Sequence, residues 1–172
     1  KDWGLVTQRV ANEEVLGQGK GVMITLPSGH VLNLFYHSDR LGYSCGMHNP
    51  DTVLEHLDGV TPVTHLDHAL LAGNDCDKTV KFLMEALDFN LTETILAPDG
   101  SPFAFFLTTS STIHNLAFAP GPSNGLHHIA FYVNDRADVI RRVDMLKRRK
   151  IATLGYGISR HGIGGVTTTY FF

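Results

Sequence analysis

Two stretches of the sequence decide the fold: Leu66-Asp67-His68-Ala69-Leu70-Leu71-Ala72-Gly73-Asn74-Asp75 and Leu126-His127-His128-Ile129-Ala130-Phe131-Tyr132-Val133-Asn134-Asp135. Each is a strand-like apolar run that ends in an Asn-Asp pair suited to capping a helix. Laid over one another at an offset of sixty, His68 falls on His128, Asn74 on Asn134 and Asp75 on Asp135. An internal repeat of this kind means two copies of one supersecondary unit.

The residues after each stretch are also similar. Val80, Leu83, Met84 and Leu87 make an i, i+3, i+4, i+7 stripe, as Val139, Ile140, Val143 and Leu146 do in the second copy. Strands are expected over Asn90–Leu96, Phe103–Leu107 and His114–Phe118, with turns at Pro98-Asp99-Gly100 and Ser110-Ser111. In the second copy they are expected over Ala152–Tyr156 and Val166–Phe172. The fold class is therefore α+β, as paired βαβββ modules, with the second module ending one strand early. Upstream, Lys20–Leu26 and Val31–Tyr36 form a hairpin around Pro27-Ser28-Gly29, read as the tail of an earlier copy. His37–Pro62 is an irregular linker with one helical turn near Asp51–Leu57. The expected domains are 1–60, the end of one domain plus linker, and 61–172, a second domain lacking its last strand.

Composition narrows the function. The 172 residues carry 14 Lys+Arg against 17 Asp+Glu, a net charge of −3, which argues against a general nucleic-acid binder. No apolar run reaches the ~20 residues of a membrane-spanning helix. Two cysteines, Cys45 and Cys76, read as thiols rather than a disulfide framework and fit a cytoplasmic protein. Lys147-Arg148-Arg149-Lys150 reads as a solvated helix end, and Gly162-Ile163-Gly164-Gly165 lacks the Lys-Ser/Thr of a phosphate loop.

Ten histidines stand out. Alternation along the strand sets Ile129, Phe131 and Val133 toward the helices and His128 toward the opposite, inner face. By the same rule His68 and Leu70 point inward, and Ala69 and Leu71 face the helix. One isolated histidine is ordinarily structural; two related by a repeat and sharing an inner face point to a metal site. Two imidazoles plus one carboxylate suit Fe(II) with open positions for substrate and O₂, although imidazole also suits Zn or Ni. His114 opens an alternating strand with Leu116 and Phe118 and is expected on the inner face, where an imidazole can serve as acid or base. His161 lies in a glycine-rich loop, and Tyr170 sits on the final strand, where its hydroxyl can bond an ionised substrate oxygen. His30, His37, His48 and His56 lie in or beside loops and receive no role.

Leu66–Leu70, His114–Phe118, Leu126–Phe131, Arg160-His161-Gly162 and Thr169-Tyr170-Phe171-Phe172, in that order and spacing, resemble the type I extradiol ring-cleavage dioxygenases, and among them the catechol 2,3-dioxygenases, of the vicinal oxygen chelate superfamily. The resemblance implies a catalytic C-terminal domain and a related non-catalytic N-terminal one. It also implies non-haem Fe(II), catechol and O₂ as substrates, meta cleavage to 2-hydroxymuconic semialdehyde, and a homotetramer. It matches His68 and His128 to two iron ligands, His114 to an acid/base and His161 to a substrate-site histidine. Tyr170 matches a tyrosine near the substrate hydroxyl and Phe106 an aromatic residue of the pocket wall. The third ligand of that family, a glutamate, is expected a few residues beyond Phe172; in the earlier copy Asn33 stands where it would fall. The chain is read as the central part of a longer enzyme, binding iron weakly and not turning over alone. The other readings are a metalloisomerase or thiol transferase of the same superfamily, and a metal-free protein that binds an aromatic ligand.

Overall fold

The computed structural model describes residues 2–39, 59–61, 63–155 and 157–172. The linker's helical turn near Asp51–Leu57, and Cys45, lie outside the described residues. Three strands open the chain: β1 (Thr7–Val10), β2 (Gly21–Thr25) and β3 (Val31–Phe35). The first copy of the repeat then supplies β4 (His65–Gly73), α1 (Cys76–Leu87), β5 (Asn90–Leu96), β6 (Pro102–Thr108) and β7 (Leu116–Pro120). The second supplies β8 (Gly125–Tyr132), α2 (Arg136–Arg148), β9 (Ser159–Arg160) and β10 (Thr167–Thr168). These are the α+β modules expected, in three sheets ordered β1-β2-β3, β5-β6-β7-β4-β8 and β10-β9.

The described residues fall into two compact units. One holds those up to 39 with Leu70–His128; the other holds those from 59 to Ala69 with Ile129–Phe172.

In the first unit the hairpin forms as read, with Leu26 N–H donating to the His30 carbonyl across the turn (2.8 Å). Ile24 and Leu26 of the hairpin join Cys76, Val80, Phe82 and Leu83 of α1 and Phe105, Leu107 and Phe118 of β6 and β7 in one core. Transfer of such side chains from water, about 1.5–3 kcal/mol each, is what fastens the N-terminal strands to the module. The buried stripe of α1 is rotated from the expected one. Thr79 and Phe82 are buried, whereas Met84 is 39% exposed. The cause is the N-terminal segment: Thr79 Oγ1 accepts from Ser28 N–H (2.9 Å), and Trp3 packs edge-on against Phe82 (5.4 Å). His30, given no role, is a structural histidine: its Nδ1 lies 3.0 Å from Ser28 Oγ and its Nε2 3.0 Å from the Gly125 carbonyl. Cys76 donates its thiol to the Gly73 and Ala119 carbonyls (3.3 Å each), and burial pushes its pKa up.

The second unit is less regular, and three expectations need correction there. Ile129 and Phe131 are not buried against a helix; each is nearly half exposed. The buried side of α2 is narrow, carrying Asp138, Val139 and Leu146, and the helix packs on β10; Ile140 of the expected stripe is exposed. Asp138 turns the helix this way. Its carboxylate accepts from the Thr61 hydroxyl (2.5 Å) and from Arg141 Nη2 (2.8 Å), and the Arg142 guanidinium donates to the Thr61 carbonyl. The Thr61 bond, then Arg141, hold the Asp138 pKa below the usual carboxylate range. Finally, the strands expected over Ala152–Tyr156, of which Tyr156 lies outside the described residues, and over Val166–Phe172 are not continuous among the described residues. Gly164 and Gly165 at φ 64° and 62° interrupt the chain just before the second. What pairs is Thr167 with Arg160, Thr168 with Ser159, and an isolated bridge from Thr153 to Phe171.

Candidate metal and substrate site

His68 lies on β4 with its side chain 14% exposed. Its Nδ1 sits 2.6 Å from Asp67 Oδ2. A carboxylate only accepts, so Nδ1 carries the proton and, in the neutral ring, Nε2 carries the lone pair. That is the tautomer in which an imidazole can bind a metal through Nε2. His128, on β8, is partly buried, and its Nδ1 lies 2.8 Å from Nδ1 of His127. The donor chemistry of both rings fits a divalent transition metal. His68 belongs to one compact unit and His128 to the other. Among the described residues no group of three or more His, Cys, Asp or Glu gathers into a metal cage.

His114 does not open a strand as expected; it stands two residues before β7, in a loop, and is nonetheless 6% exposed. Its ring meets the buried Phe106 edge-on at 5.1 Å between centroids, so two expected site residues are brought together in one unit. A residue that sequence reasoning misses builds this loop. Asn115 Oδ1 accepts from Thr108 Oγ1 (2.7 Å) and Thr109 N–H (3.2 Å), and its Nδ2 donates to Thr112 Oγ1 (2.9 Å). Asn115 N–H closes the loop on the Leu107 carbonyl (2.8 Å). Asn beside a Thr/Ser-rich turn is the available sequence signal, since short polar side chains bond nearby backbone. Asp67 escapes sequence reasoning because a strand ordinarily sends adjacent side chains to opposite faces.

His161 and Tyr170 belong to the other unit, with His68. His161 Nδ1 lies 3.0 Å from the Ile163 carbonyl, and its backbone N–H donates to Val166 (2.7 Å), which fixes both ring and loop. A carbonyl also only accepts, so this ring too carries its proton on Nδ1. Tyr170 is half-buried beyond β10, its carbonyl accepting from Leu154 N–H (3.2 Å). Lys147–Lys150 are exposed, as a solvated helix end should be. No helix among the described residues is long and apolar enough to cross a membrane.

Comparison with known proteins agrees with the motif reading. Over 99% of its length the chain is 31% identical to metapyrocatechase of Pseudomonas sp. (strain CF600), covering 56% of that protein. It is 24% identical, over 93% of its length and 52% of the relative's, to a manganese-dependent 2,3-dihydroxybiphenyl 1,2-dioxygenase of Geobacillus genomosp. 3. The chain thus spans about half the length of these curated relatives. Among solved structures it matches the 2,3-dioxygenase LapB of Pseudomonas sp. KL28 with a TM-score of 0.81 and 30% identity, over 99% of this chain and 59% of that one. Residues 1–39 match the catechol 2,3-dioxygenase-like N-terminal domain. With residues 65–172 matching its family as well, the chain belongs to the Glyoxalase/Bleomycin resistance protein/Dioxygenase superfamily.

Proposed function

We propose that the whole protein cleaves catechol beside its two hydroxyls, using O₂, to give 2-hydroxymuconic semialdehyde, with both oxygen atoms entering the product. Residues 61–172 supply catalytic-domain residues, and 1–60 the end of a non-catalytic domain and its linker. The observation that carries this reading is the buried His114 against Phe106: an imidazole held dry beside an aromatic wall. His68 and His128 would hold Fe(II), with a glutamate as the third ligand. A metal held there would supply the activation of O₂, whose spin state bars direct reaction with the ring.

The chain's own groups do the rest. Tyr170 donates its O–H to an ionised substrate oxygen, and His161, with Nδ1 engaged by Ile163, turns Nε2 to the substrate. Together they hold the diol in one orientation. His114 holds a proton at a ring nitrogen and delivers it as the O–O bond breaks; histidine's ordinary pKa suits both giving and regaining it. Phe106 stacks the ring and keeps water out. The protein is read as a cytoplasmic homotetramer.

The test uses the whole protein, stripped of metal and reconstituted without air with Fe(II) or Mn(II). Catechol and O₂ should then give the yellow ring-cleaved product, and the metal that restores it identifies the cofactor. No product with either metal would overturn the reading and favour a ligand-binding protein. His114→Phe should keep the metal and lower kcat by about 10²–10⁴-fold. Loss of the metal in that variant would remove His114 from the acid/base role.

A further inference from the structure

We infer that Asp67 and His127 are positioning residues for the two candidate metal ligands: each lies at hydrogen-bond distance from Nδ1 of the histidine next to it in the chain, an arrangement that suits metal binding through the other ring nitrogen, Nε2. The inference rests on the proposed metal site for its purpose, but not for its geometry. In an extended strand, residues i and i+1 leave opposite faces, so contact between them is not a consequence of strand structure. Here it occurs twice, at positions sixty apart. Asp67 Oδ2 lies 2.6 Å from His68 Nδ1, and His127 Nδ1 lies 2.8 Å from His128 Nδ1. Both are within hydrogen-bonding distance, the contact with the carboxylate being the shorter.

The two partners differ in what they allow. A carboxylate has no proton to give, so Asp67 forces the Nδ1–H tautomer on His68 and makes its Nε2 more electron-rich. The side chains of His68 and Asp67 are 14% and 33% exposed, so the bond is only partly screened. His127 is an imidazole, and two imidazoles joined nitrogen to nitrogen share one proton. For His128 to bind a metal through Nε2, His127 must be the acceptor, its own proton lying on Nε2. Asp67 therefore dictates a tautomer, whereas His127 only accommodates one. The carboxylate should matter more.

Metal-free protein labelled with ¹⁵N-histidine, held above histidine's ordinary pKa, reports the tautomer by long-range ¹H–¹⁵N correlation. His68 and His128 should both show Nδ1–H. In Asp67→Asn the amide can donate instead, and His68 should pass to Nε2–H; Asp67→Glu should restore Nδ1–H. Competition against a chelator for Fe(II) and Mn(II) should then show affinity lowered about 10–100-fold in Asp67→Asn, less in His127→Phe, and largely recovered in Asp67→Glu. Nε2–H on His68 in the unsubstituted protein would overturn the inference, as would metal affinity unchanged by both Asp67→Asn and His127→Phe. If the unsubstituted protein bound neither metal, the metal reading would fall and this role with it.

Discussion

The two copies of the repeat begin alike and are stabilised differently. In the first, α1 comes after Asp75, buries Cys76, Thr79, Val80, Phe82 and Leu83, and shares a core with two further strands and the N-terminal hairpin. In the second, α2 comes after the equivalent Asp135 but buries only Asp138, Val139 and Leu146, and is secured by a charged network on Thr61. The strands after α1 run five to seven residues, those after α2 only two. A repeat in sequence thus keeps positions rather than interactions. The same strand-cap-helix scaffold is held by apolar burial in one copy and by hydrogen bonds and charge in the other.

Core truncation should separate the copies most. Leu83 is fully buried in a cluster of nine buried residues. Leu83→Ala should cost about 3–5 kcal/mol, since close-packed surroundings cannot collapse onto the cavity. Leu146, 5% exposed and outside that cluster, should cost about 2 kcal/mol when changed to Ala. Amide hydrogen exchange reads both: Leu83→Ala should speed exchange throughout α1, β6 and β7, and Leu146→Ala within α2 alone. Equal losses, or exchange rising everywhere in both variants, would break the distinction.

Acid offers a second contrast. The Asp138 pKa lies below its ordinary value, chiefly through the Thr61 hydroxyl and then Arg141. A carboxylate whose folded pKa is depressed adds stability above its unfolded pKa, roughly 3.9, and loses it as pH falls through the folded one. Exchange protection of α2 should therefore fall below about pH 4, and Asp138→Asn should lower it at neutral pH while flattening that acid limb. The apolar core around Leu83 should show no such limb. An α2 insensitive to acid would mean that Val139 and Leu146, not the charges, hold the helix.

These differences mark what is legible in the sequence. Periodicity locates β5, the β2–β3 hairpin and both helices because those signals are local. It misses β1, whose Thr7-Gln8-Arg9-Val10 has only Val10 buried and no alternation to read. It misplaces the faces of α1 and α2 because Ser28, Trp3 and Thr61, distant in sequence, decide which side is covered. The candidate site divides the same way. The histidines and Tyr170 are legible as motifs, and Phe106 comes only from the family resemblance. Asp67 and Asn115, which fix ring orientation and loop shape, act through hydrogen bonds that no pattern of residue types encodes.

The smallest contrast is at the caps, and it tests most directly whether equivalent positions do equivalent work. Asp135 is extended (φ −146°) and its carboxylate accepts from Asp138 N–H at 2.7 Å, so it satisfies a helix-end donor. Asp75 is left-handed (φ 45°), makes no side-chain cap, and turns its carboxylate to Lys78 at 2.9 Å. Asp135→Ala should cost about 1 kcal/mol in urea unfolding, the usual worth of an N-cap. Asp75→Gly removes an exposed, solvent-screened ion pair of little worth and relieves a left-handed strain of about 1–2 kcal/mol. Against these, glycine adds roughly 0.5–1 kcal/mol of backbone entropy to be lost on folding. The three nearly cancel, so Asp75→Gly should leave stability within about 0.5 kcal/mol of the unsubstituted chain. A loss as large as that of Asp135→Ala would mean that Asp75 caps α1 in solution, and that the two copies start their helices by one mechanism after all.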